Sequence, residues 1–167
     1  PEAGHGYARA QGWSDVLPRR VPTEAAVGRF VEGCRGDNEP FDPVSPRRVV
    51  PTMQSLAANA VMAGCRPEYF PVVLAALRAV LTPEYNLHGS LATTHSCAPM
   101  LLYNGPLCQE LEINCSSNCF GQGWRANATI GRALQLILLH VRSSLPSLPS
   151  PFSPLFPSLF PLFFLSS

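Results

Sequence analysis

A glycine-rich turn runs directly into the longest apolar-periodic segment of the chain, and that pairing limits the rest of the fold. The turn reads Asn118-Cys-Phe-Gly-Gln-Gly-Trp-Arg-Ala-Asn-Ala-Thr-Ile-Gly-Arg and continues as Ala133-Leu-Gln-Leu-Ile-Leu-Leu-His140. From Ala128 onward, Ile130, Ala133, Leu134, Ile137, Leu138 and Val141 recur at helical spacing. Leu136 and Leu139 add a second apolar face, so the predicted helix must be largely surrounded by protein. Each Leu or Ile fully buried there contributes roughly 1.5–3 kcal/mol, which makes this helix the expected centre of the core.

Three more helices are expected upstream. Thr23 is placed to cap a short helix with Val27, Phe30 and Val31 on one face, ended by Gly33. Residues 35–51 carry four prolines and no apolar periodicity, so they read as an irregular connector. Thr52 is an N-cap candidate for a helix bearing Met53, Leu56, Ala57, Ala60 and Val61, with Gly64 as its C-terminal stop. Pro67 or Pro71 fits a first-turn position of the next helix, whose buried face is Phe70, Val73, Leu74, Leu77 and Leu81 and which Thr82-Pro83 ends. The short connection around Cys65 makes these last two an αα-hairpin.

Ala98-Pro-Met-Leu-Leu-Tyr is a continuous apolar run closed by Asn104-Gly105-Pro106, the pattern of a buried strand. Residues 106–111 fit one or two helical turns. The expected fold is therefore α/β or α+β, with helices packed on a small buried sheet in a single domain over residues 22–142.

The ends read differently. Residues 1–21 form a disordered lead-in rich in Gly, Arg and Ala. Residues 143–167 contain only Ser, Pro, Leu and Phe, and six prolines forbid a continuous helix or a satisfied membrane span. All four residue types can be encoded by pyrimidines alone. This tail reads as a translated polypyrimidine tract, such as an unspliced intron in a gene model; the alternative is a genuine Pro-rich disordered tail. Because the chain starts at Pro1, it also reads as a fragment.

Charged residues make up only 14% of the chain and the net charge is +1, which argues against nucleic acid and acidic membrane surfaces as partners. All 12 basic residues are Arg. Cys34, Cys65, Cys97, Cys108, Cys115 and Cys119 include no Cys-x-x-Cys pair and no metal-ligand spacing. They read as free thiols in a reducing, cytoplasmic compartment, with a Cys115–Cys119 pair as the alternative if the loop between them is tight. No metal site and no particular cofactor is indicated.

Candidate chemistry concentrates in two places. Gly121 and Gly123 precede a helix N-terminus, where backbone amides and the helix dipole favour an anion. Arg125 would supply charge, with hydrogen bonds from Asn118, Asn127 and Thr129. Against this stands a purely structural turn in which Asn127 caps the helix. His95 and Asn104 flank the expected strand; His95 is the candidate proton-transfer residue. Cys65 lies between two helices beside Arg66, a setting that can activate a thiol or simply bury a small side chain. Asn114-Cys-Ser and Asn127-Ala-Thr match the glycosylation sequon.

Several strings resemble one known family. They are Asn59-Ala-Val-Met-Ala-Gly-Cys-Arg-Pro-Glu-Tyr-Phe-Pro-Val-Val-Leu-Ala-Ala, Ala92-Thr-Thr-His, Asn104-Gly-Pro, and Phe120-Gly-x-Gly-x-Arg-Ala-Asn-Ala-Thr-Ile-Gly-Arg-Ala. From about Pro22 to Val141 the chain resembles the C-terminal or companion domain of the UGSC-type selenoproteins and their cysteine homologues. The [Sec/Cys]-Gly-Ser-Cys motif that names the family does not occur here, and Cys115-Ser-Ser-Asn-Cys119 is not that motif. The resemblance implies a redox- or thiol-linked protein, but without the motif that activity is carried onto no residue here. The residues themselves suggest an enzyme domain, an oxidoreductase acting on a small, anionic substrate held between His95, Asn104 and the Asn118–Thr129 turn, with Cys65 as a thiol participant. The alternative is a non-catalytic binding or assembly domain. It would complete the site of an N-terminal domain bearing the motif, or form a homo-oligomer.

Overall fold

The computed structural model describes residues 20–34, 36, 39–45, 48–93 and 98–143, with only the backbone for 141–143. Among the described residues six α-helices follow in chain order: α1 (Glu24–Gly33), α2 (Met53–Ala63), α3 (Phe70–Leu81), α4 (Leu87–Ala92), α5 (Leu107–Glu110) and α6 (Arg125–Ser143). Single 3₁₀ turns at Pro67–Tyr69 and Pro83–Tyr85 lead into α3 and out of it.

Local chemistry sets most of the boundaries. The Thr23 hydroxyl accepts from the Ala26 amide at 3.3 Å and starts α1, where Glu24 in the first turn complements the helix dipole. Thr52 does the same for α2 through the Ser55 amide at 3.2 Å. Gly64 ends α2 at φ +90°. The Cys65 amide then reaches back to the Ala60 carbonyl at 3.1 Å, the long bond of a Schellman motif. Thr82 is extended ahead of Pro83, so α3 stops there.

The sheet expected from the sequence is absent from the described residues. The described residues are helical, and the one strand-like feature among them is an isolated antiparallel bridge between Val44 and Val49. The α/β or α+β assignment is therefore corrected to all-α for the described residues. Residues 98–103 are irregular: Leu101 is buried while Met100 and Leu102 face outward, and the Tyr103 hydroxyl donates to the Val72 carbonyl at 3.4 Å. An apolar run reads as a strand only if a second strand exists to pair with it. Here the run lies against helices, and Pro99 has no amide to offer a ladder.

Helix α6 is the centre of the core. It packs on α2 and α3, while α1 packs on α2 and the first 3₁₀ turn. Ala126, Ile130, Ala133, Leu134, Leu136, Ile137 and Leu138 are all buried; of the other expected core positions Leu139 is half-buried and the Val141 side chain lies outside the described residues. Phe30 from α1 meets Phe70 edge-on with ring centroids 5.6 Å apart. No helix among the described residues is long and apolar enough to cross a membrane. The lead-in and the tail lie outside the described residues apart from Arg20, Val21 and Ser143.

Candidate functional site

The glycine turn is a compact knot tied mostly by its own side chains. Asn118 is left-handed at φ +61°, and its side-chain amide donates to the Gln122 carbonyl at 3.1 Å. The Gly121 amide donates to the Asn118 carbonyl at 2.9 Å. A Cβ on Gly121 would fall 1.7 Å from the Asn118 side-chain oxygen, so the folded-over asparagine requires glycine there. Gly123 sits at φ +110° with open space around it, so backbone conformation is what selects it. Gly123→Ala is expected to lower stability by about 1–2 kcal/mol through backbone strain alone, read by thermal denaturation.

Asn127 is the knot's anchor. It is 1% exposed. Its side-chain oxygen accepts from the Asn114 amide at 2.9 Å, and its nitrogen donates to the carbonyls of Asn114 at 2.8 Å and Cys119 at 3.3 Å. The side chain thus joins the segment before the turn to the start of α6. Asn114 is buried too, and its side chain bonds the Ser116 amide and the Ser117 carbonyl, both at 3.0 Å. Both sequon asparagines are therefore engaged inside the fold.

Arg125 points at protein rather than at an open anion position. Its Nε and Nη2 donate to the Gly64 carbonyl at 3.1 and 2.9 Å, satisfying a carbonyl at the end of α2 where a cation is favoured. Thr129 donates to the Arg125 carbonyl at 2.8 Å within α6. The Thr129 carbonyl accepts from the Cys65 thiol at 3.3 Å. The α2–α3 connection is thereby docked on the first turns of α6. Arg66 adds an exposed ion pair to Glu112 at 3.3 Å, a contact of small energetic weight.

Cys65 is buried, and that decides its chemistry. Desolvation pushes its pKa from 9.0 up to about 12, outweighing the opposing pull of Thr129 and of the Arg125 charge. At neutral pH it is a protonated thiol that donates a hydrogen bond. An activated cysteine needs the reverse balance, with exposure and positive charge winning over burial.

Of the residues singled out from sequence, the fold gathers Cys65, Asn118, Gly121, Gly123, Arg125, Asn127 and Thr129 around one knot. Asn104 is exposed on the turn before α5, outside that network. His95 lies outside the described residues, as does Cys97. Among the described residues, no group of three His, Cys, Asp or Glu side chains comes together as a metal-ligand set.

A second polar pairing is not apparent from sequence. Asn59, on α2, donates to the Ser55 carbonyl at 2.8 Å, which leaves its side-chain oxygen to accept from Nδ1 of His140 on α6. The pair lies beside a shallow groove of about 270 Å³ walled by Val49, Val50, Pro51, Leu56 and Ile137. One signal was present: Asn59 lies three residues after Leu56 and four before Ala63, on the buried stripe of α2. Outward from the knot stand Phe120 and Trp124, 51% and 42% exposed, one on each side of the glycines. Comparisons of the chain with family models, with curated proteins and with solved structures find no match, so the family resemblance rests on the residue strings alone.

Proposed function

We propose that residues 22–142 act as a non-catalytic binding or assembly domain that self-associates through the aromatic-bearing turn. One observation carries this reading. Asn114, Asn118, Arg125, Asn127 and Thr129 bind the chain's own backbone, while the two large aromatic side chains of the turn are about half exposed. Asn127, Arg125 and Thr129 are committed to carbonyls and amides of the fold, and Cys65 holds its proton. Phe120 and Trp124 are presented on a turn whose shape the Asn118 and Asn127 hydrogen bonds fix. Pre-organised aromatic anchors of this kind dominate binding energy at protein interfaces, because little side-chain freedom is lost on contact.

A second copy of the chain is the partner favoured here. With a net charge of +1 and 14% charged residues, two copies meet little electrostatic opposition. The thiol-linked enzyme reading would need Cys65 as a thiolate and Arg125 aimed at substrate, and both side chains are turned to structural use. Sedimentation velocity of the full chain over a range of concentrations tests the proposal. A dimer that dissociates on dilution is expected; a monomer at every concentration would overturn it.

A further inference from the structure

The loop between Cys115 and Cys119 is drawn shut at its neck. A single nitrogen, Nδ2 of Asn127, binds the carbonyl of Asn114, the residue before Cys115, and the carbonyl of Cys119 itself, at 2.8 and 3.3 Å. Inside the loop the chain reverses, with the Cys119 amide donating to the Ser116 carbonyl at 3.2 Å. The Asn114 side chain ties down Ser116 and Ser117 from within. Both cysteines are free thiols; Cys115 is exposed and Cys119 half-buried. The next residue after Cys119 is the exposed Phe120. Cys65 is buried and donates to the Thr129 carbonyl; Cys108, within electrostatic reach of Cys115, is also buried and donates to the Tyr103 carbonyl at 3.6 Å.

We propose that Cys115 and Cys119 form a reversible disulfide that restrains the turn carrying Phe120 and Trp124. A low-molecular-weight disulfide such as glutathione disulfide is the oxidant. The Cys115 sulfur attacks one of its sulfurs, forming a mixed disulfide and releasing one glutathione thiolate. The Cys119 sulfur then displaces the second thiolate, closing the Cys115–Cys119 bond. The two thiol protons end on the two glutathione thiols, so the protein is oxidised by two electrons and the glutathione disulfide is reduced by two. The bond closes across a loop that the Asn127 clamp already holds, which limits the chain ordering needed to form it. Any control of assembly by this bond rests on the self-association reading above; the bond itself does not.

The full chain is incubated at neutral pH with glutathione disulfide, its remaining thiols are blocked with N-ethylmaleimide, and it is cleaved with chymotrypsin. Cleavage after Leu111 and Phe120 leaves Glu112–Phe120, which contains both cysteines and no others. That peptide is expected two hydrogens lighter than the dithiol and free of maleimide. Glutathione adducts on both cysteines, or a cross-link to Cys108, would overturn the proposal. In a Trp13→Phe chain the emission of Trp124 is expected to shift between oxidised and reduced protein, and the Cys115→Ser variant should abolish that shift. A disulfide that forms without any shift would overturn the restraint on the turn. Neither readout needs a dimer, so a monomeric chain that passes both would overturn the assembly reading and leave this proposal standing.

Discussion

Asn127→Ala is expected to lose about 3 kcal/mol of stability, a large share of the roughly 5–15 kcal/mol that holds a domain together. The substitution strips partners from the Asn114 amide and from the carbonyls of Asn114 and Cys119 at once. The site is buried, so water does not replace those bonds without opening the loop, and an unsatisfied buried group costs about 1–3 kcal/mol. For a domain of this size the melting temperature should fall on the order of 10 °C. Asn127→Asp should be worse, because a carboxylate would face two carbonyl oxygens where a donor now stands. Thermal denaturation of the two variants checks both the size and the order. A ligand-binding Asn127 would behave differently: its removal would leave the melting temperature nearly unchanged.

The second large effect is alkaline lability. Burial raises the Cys65 pKa from 9.0 to about 12, so the unfolded chain gives up this proton at lower pH than the folded one. Below pH 9.0 the contribution of the neutral thiol is fully present. Above it the unfolded state binds fewer protons, and stability falls toward pH 12 by about 1.4 kcal/mol per pH unit for this single group. Tyr103 pushes the same way above pH 10.0, its hydroxyl raised first by burial and then by Cys108. Urea unfolding at steps through this range should show the decline, and Cys65→Ala should flatten its first part. A stability that stays level for the unmodified chain would show that Cys65 is not held as a buried thiol.

The helices could be read from sequence because their signals are local. Thr23 and Thr52 cap residues three positions away, Gly64 needs only its own positive φ, and Pro83 acts on its immediate neighbour. Helix α6 announces itself through an apolar period that runs from Ile130 to Val141, about three turns. The segment 98–103 could not be settled this way. Its apolar run satisfies a strand or an irregular strap equally well, and the difference lies in whether a distant partner exists.

The glycines and polar residues mark the turn as special in the sequence, and in the fold Asn118, Arg125, Asn127 and Thr129 hydrogen-bond the chain's own backbone. Its glycines and polar residues do cluster, but composition does not say which way a side chain points. Asn127 offered one clue: it lies three residues before Ile130 and seven before Leu134, on the buried stripe of α6. A polar residue on an apolar stripe is far more often a satisfied core group than a ligand contact. Arg125 gave no such clue, since its partner at Gly64 is 61 residues away.

The most direct measurement compares the Phe120→Ser, Trp124→Ser double variant with the unmodified chain by sedimentation velocity, with melting temperature as the control. Both side chains are about half exposed, so their replacement should cost on the order of 1 kcal/mol and leave the chain folded. A dimer of the 18.1 kDa chain is expected for the unmodified protein and a folded monomer for the variant. A variant that sediments as the unmodified dimer does would contradict it.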